Sequence, residues 1–216
     1  MRKILVGGVL AALAALFMSM PSVAGAHGAV NCTHSLAPGT YDSVNVPAGA
    51  ICITITGPVT ITHGVTVGPG ATFVLGNENH PGHVATISGG VRSNHAASVQ
   101  IHFSSITGGV NLLGGAGPFG HPFGVTWNTI EDSAIHGNVN IVGYNGFWQG
   151  FFRNTVVGSF TFNDNVVVDT DGNEVQTNTI NGGMNCSGNT PKPQMGDSGG
   201  SPNKVNGRKT GQCSGI

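Results

Sequence analysis

Charge is what this chain most lacks: Asp, Glu, Lys and Arg make up 8% of its 216 residues, against roughly 25% in an average globular protein. Disordered chains are charged and poor in apolar residues. With 39% hydrophobic residues, this one is not of that kind. Aromatic side chains are also few, at 6%, so wherever they gather is informative. No apolar run after residue 26 is long enough to span a bilayer, and no C-x-x-C spacing offers the usual start of a zinc site. In place of charge the chain carries 36 Gly and 11 Pro. Each Gly costs a helix about 1 kcal/mol relative to Ala, which argues against a helix-rich fold. The glycines show no three-residue period, which excludes collagen. An all-β chain with many tight turns remains.

The one long apolar run is N-terminal. Arg2 and Lys3 precede Ile4 to Met20, and small residues follow to Ala24-Gly25-Ala26. This is the order of a secretory signal peptide, with cleavage expected after Ala26 or Ala24; an uncleaved anchor is the alternative. The expectation is a 1–26 signal peptide and a single 27–216 domain, secreted or otherwise extracytoplasmic, with no membrane span after cleavage. The remaining six basic and nine acidic residues give a net of −3, which argues against nucleic acid as a partner. In an oxidising compartment the four cysteines read as disulfides. Three pairings are open; Cys32–Cys52 with Cys186–Cys213 ties down one end each and is the expected set.

A seven-residue pattern, Ile/Val-x-Gly-x-apolar-x-apolar, organises the chain. It starts at Ile55, Ile106, Ile135, Val156 and Ile180, with weaker copies at Ile87 and Val205. A second anchor, Asn-Thr-Ile or a close variant, starts at Asn128, Asn154, Asn178 and Asn203. Apolar residues two apart mark the inward face of a strand. One such unit cannot bury that face alone, but stacked copies can. The reading is a right-handed parallel β-helix of about seven coils, irregular spacing arguing against the left-handed six-residue kind. Its four Asn anchors are expected to stack as one ladder. An antiparallel sandwich or barrel is the alternative.

The run Asn31-Cys32-Thr33, Gly39-Thr40-Tyr41-Asp42, Val46-Pro47-Ala48-Gly49 and Cys52 resembles the start of a group of uncharacterised exported bacterial proteins. The segment Asn185-Cys186-Ser187-Gly188-Asn189 with Gly211-Gln212-Cys213 resembles their end. More distantly, the repeats resemble the pectate-lyase-like β-helix superfamily. The resemblance implies fold and export and brings no catalytic residues.

Several motifs invite chemistry. Gly196-Asp197-Ser198-Gly199-Gly200-Ser201-Pro202 is worded like the nucleophile segment of chymotrypsin-like proteases, but no His lies in the matching Ala-x-His-Cys setting. His27, if exposed by cleavage, would offer an amine and an imidazole to copper, as in lytic polysaccharide monooxygenases; an exposed tail is the plainer reading. Asp169, Asp171 and Glu174 form the one dense acidic loop, a Ca²⁺ candidate against a solvated Asp-Gly turn. Asn79-His80-Pro81-Gly82-His83 holds the closest His pair, without an evident third ligand. For polysaccharide cleavage, acids should stack with a Lys or Arg on neighbouring coils. Counted from the Asn anchors, Glu131, Asp132 and Asp164 find no such neighbours.

The aromatics do cluster: Tyr144, Phe147, Trp148, Phe151 and Phe152, with Phe119, Phe123 and Trp127 one coil earlier. They either cover one another or present rings to sugars. The expected function is a non-catalytic, surface-binding β-helix that contacts cell-envelope or extracellular polysaccharide through Trp127, Tyr144, Phe147 and Trp148. A polysaccharide lyase or hydrolase is the competing class. Self-association through an unpaired terminal coil is a third option.

Overall fold

The computed structural model describes residues 27–55, 57–82, 85–115 and 127–216; the 1–26 segment, His83, Phe119 and Phe123 lie outside them. The described chain forms a parallel β-solenoid of about seven turns, without an α-helix. Three long sheets run along the axis. Sheet A has eight strands, from Gly39–Tyr41 to Lys204–Val205. Sheet B has nine, from Val30–Asn31 to Lys209–Gly211. Sheet C has six: Ile51–Thr54, Thr72–Leu75, Ser98–His102, Trp127–Glu131, Trp148–Phe152 and Glu174–Gln176. The chain visits A, B and C in turn, and every strand pairs parallel with its equivalent one turn away.

In-register pairing puts like residues in columns. On sheet A, Tyr41, Ile61, Ile87, Ile106, Ile135, Val156 and Ile180 follow one another into the interior. On sheet C the inward column is Leu75, Ile101, Ile130, Phe151 and Val175. All of these are at most 5% exposed, and their apolar area removed from water is the main stabilising term, at roughly 25 cal/mol per Å². The disulfides are Cys32–Cys52 and Cys186–Cys213, with Cα atoms 5.5 and 5.1 Å apart. They indicate an oxidising, extracytoplasmic location. No helix among the described residues is long and apolar enough to cross a membrane.

Two expectations of register are corrected. The copy starting at Ile55 is out of phase: Ile61 pairs with Ile87 and Val65 with Val91, so the true unit of that turn is Ile61–Val67. Two alternating apolar runs adjoin there, and composition alone does not say which is the corner. Nor does Asn128 join the Asn ladder. It sits within sheet C, in register with Gln149, and its Oδ1 accepts from the Val99 amide. The place in the ladder belongs to Ser133. The column runs Ser104, Ser133, Asn154, Asn178 and Asn203, each backbone N–H donating to the next side-chain oxygen at 3.0–3.1 Å. The three Asn amides also donate to Ile130, Phe151 and Val175 carbonyls at 2.7–2.8 Å. A second ladder, Asn165–Asn189–Gln212, closes the corner between sheets B and C.

His27 is no loose tail. Its amide donates to the Thr40 carbonyl at 2.7 Å, and its ring stacks on Tyr41 at 4.9 Å.

Candidate functional site

The strands of sheet B alternate buried and partly or fully exposed residues, as half-solvated strands do. Those of sheet C are buried at nearly every position. Its outer face is therefore covered or recessed, and it carries the site. A cleft of about 460 Å³ opens there. Its floor is Ile53, Val74, Gln100 and Thr129, which share one outward column, with His102 and Glu131 in the next. Asn77 and Glu78 stand at one side. Trp127, Trp148 and Phe152 line the other end.

Gly150 makes the aromatic wall possible. A Cβ there would overlap the rings of Trp148 and Phe152, which lie edge to face at 6.0 Å. Trp127 pairs in register with Trp148. The Trp148 indole N–H donates to Glu174 Oε1 at 3.0 Å, fixing the ring. Behind the wall, the Gly196 backbone packs on Glu174 and that of Gly200 on Gln176, so the loop that carries the protease-like wording roofs the last strand of sheet C. Ser198 is exposed, and no hydrogen bond joins it to a histidine among the described residues.

On the cleft's polar side, His102 Nδ1 lies 2.5 Å from Glu131 Oε1. An ionised carboxylate only accepts, so Nδ1 carries the hydrogen and Nε2 keeps its lone pair while the imidazole is neutral. Glu131 Oε2 takes Arg153 Nη2 at 2.6 Å. Arg153 grips Asp132 with two bonds, from Nε at 2.8 Å and Nη2 at 2.7 Å, and its guanidinium stacks over Phe152 at 4.7 Å. Hydrogen bonding to Asp132, reinforced by the charges of Asp132 and Glu131, raises the Arg153 pKa above its usual value against the opposing effect of burial. Asp132 and Arg153 both have positive φ, 52° and 59°; they occupy the corner where the chain leaves sheet C, one turn apart, which brings their side chains together.

Spacing from the Asn anchors does not display this cluster. Glu131 and Asp132 lack acidic partners at equal distance from Asn128, because Asn128 is not equivalent to Asn154. Counted back from the Ile106, Ile135 and Val156 positions of sheet A, His102, Glu131 and Phe152 share one offset and Asp132 and Arg153 the next. Complementary charges, not like ones, occupy the stack.

The other sequence candidates are dispersed. Trp127 and Trp148 are half-buried at the cleft. Phe147 is half-buried outside its lining. Tyr144 is 1% exposed, its ring packed on Gly115 and Gly146, and presents no face outward. Asp169 Oδ1 closes a turn on the Asp171 amide at 3.1 Å, whereas Glu174 points to Trp148. Among the described residues no three His, Cys, Asp or Glu side chains converge on a cation site. Asp164 lies at the corner between sheets B and C against Gly188, on another edge of the solenoid from Glu131. Comparison with protein-family models, curated proteins and solved structures gives no match to this chain.

Proposed function

We propose that this is a secreted, non-catalytic β-solenoid that binds an extended extracytoplasmic polysaccharide in the cleft on sheet C. The observation that carries the reading is the wall of Trp127, Trp148 and Phe152 beside a floor that mixes apolar side chains with a few convergent polar groups. Sugar rings offer apolar C–H faces to aromatic rings and hydroxyls to polar side chains, and a concave site of this mixed lining suits them. Trp148 is held in place by Glu174, so little ordering remains to be done on binding. Substituting Trp127→Ala and Trp148→Ala should abolish retention on insoluble polysaccharides while the circular dichroism spectrum stays that of the parent. Unchanged retention by both variants would sink the reading.

Glu131 and Asp132 also favour a second reading, a lyase or hydrolase. Against it, both carboxylates are engaged by Arg153, and an acid whose oxygens are already bonded to a guanidinium is poorly placed to reach a substrate. Reducing-end and unsaturated-product assays on a polysaccharide panel separate the two, with Glu131→Gln as control; the binding reading expects no product.

A further inference from the structure

We infer that the cleft selects neutral, hydroxyl-rich glycans and rejects polyuronates, and that His102 is the side chain that reads the ligand's hydroxyl hydrogens. The inference rests on the cleft being a glycan site. Its first ground is charge. Glu78 and Glu131 line the cleft and Asp132 adjoins it. The one guanidinium or ammonium group at the cleft among the described residues, Arg153, is already bonded to both Glu131 and Asp132. Arg92 stands on the outer face of sheet B, and Lys192, Lys204, Arg208 and Lys209 belong to the last turns. Segment 116–126 holds no Asp, Glu, Lys or Arg, and its one titratable side chain is His121. With His102 neutral, a uronate carboxylate entering here meets net negative charge and finds no free cation, and like-charge juxtaposition is an effective means of rejection.

The second ground is hydrogen-bond polarity. Glu131 takes the Nδ1 hydrogen, so His102 offers the cleft an acceptor at Nε2, which has no protein partner among the described residues. Gln100 donates its amide hydrogen to Ser98 Oγ at 3.1 Å, and its oxygen is likewise unpartnered. The Thr129 hydroxyl beneath them is buried, without a partner among the described residues. A part-apolar floor with two open acceptors matches ligand O–H donors. A carboxylate, which only accepts, would face acceptors. Glu131 and Arg153 act through His102 as positioning residues: they fix its tautomer and orientation.

Titration calorimetry on the full protein, with neutral glucan, mannan and xylan oligosaccharides against oligogalacturonate of matched length, tests this. At least one neutral series should bind roughly tenfold or more tightly than the uronate, a factor corresponding to about 1.4 kcal/mol. Glu131→Gln should narrow that ratio, and His102→Phe should weaken the neutral ligand at least fivefold. Nitrogen-15 NMR of the neutral His102 ring should report the Nδ1–H tautomer in the parent and a shift of the Nε2 resonance when the neutral ligand is added, a shift that a purely structural role would not produce. Uronate binding as tight as neutral binding, or an Nε2–H tautomer, would overturn the inference and leave the cleft as a glycan site. Failure of every oligosaccharide to bind would overturn both.

Discussion

Sheets B and C take their strands from the same turns and pair them in parallel throughout, yet their outer faces differ. On sheet B the outward column runs Asn31, Asn45, Thr66, Arg92, Asn111, Asn140, Thr161, Asn185 and Thr210. Short polar side chains stand in the open and link here and there, as Asn45 does to Asn31 at 2.7 Å. On sheet C the outward positions set Ile, Val, Trp and Phe beside Gln, Thr, His and Glu, most of them buried and the rest half-buried. Solenoid closure asks only for the inward residues, so the outer face is where function has room to act. A row of Asn and Thr solvates an exposed sheet; Trp, His, Glu and Arg packed under cover do something else.

The comparison sharpens if identical residues are removed from the two kinds of setting. Asn178→Ala takes a buried rung from the corner ladder and strands the Asn154 amide and the Phe151 carbonyl. A loss of about 3 kcal/mol is expected, since each buried group left unsatisfied costs roughly 1–3 kcal/mol. In a chain of this length that is on the order of 10 °C in Tm. Asn185→Ala, in the exposed column of sheet B, should stay within about 0.5 kcal/mol. Equal effects in thermal melts would break the distinction between structural and solvating asparagines.

Next in size is Glu131→Ala, which leaves His102 and part of Arg153 without a partner. Because Arg153 is 41% exposed and keeps Asp132, the loss should fall below the roughly 3–5 kcal/mol of a fully buried pair, at about 2 kcal/mol in a denaturant titration. Gly150→Ala should cost about 1–2 kcal/mol by overpacking and weaken glycan retention as it pushes Trp148 and Phe152 apart. If stability falls and retention does not, the wall is a cover rather than a binding surface. Smallest of all is Asn140→Thr on sheet B, expected to be neutral in both assays within about 0.5 kcal/mol.

What the sequence displayed and what it concealed follow from the same physics. The heptads starting at Ile106, Ile135, Val156 and Ile180 were legible because the interior accepts only apolar residues at fixed offsets. The Cys pairs were legible because each lies near one end. Asn128 misled because Asn-Thr-Ile suits both a strand of sheet C and a corner, and only backbone pairing separates the two. Tyr144 and Trp148 looked alike in a run of aromatics broken by Gly. Tyr144 lies before the strand of sheet C begins and is buried against Gly115 and Gly146, whereas Trp148 is the first residue of that strand and stands at the cleft. His102 was the least visible of all: it lies 29 residues from Glu131, and a single histidine carries no motif.

Strands that lie across the solenoid axis send their hydrogen bonds along it. Tension applied between Cys32 and Cys213 would therefore load the interfaces between turns in series, each bearing the whole force, as links of a chain do. Such a molecule fails at its weakest junction and not everywhere at once. The amide rungs at two corners, three Asn–Asn and one Asn–Gln, run through the last three turns and act as rivets across those junctions. Among the described residues the turns before Ser133 show no such amide rivets at that corner, so a pulled molecule should begin to open from its N-terminal half, the half in which most of the cleft floor lies.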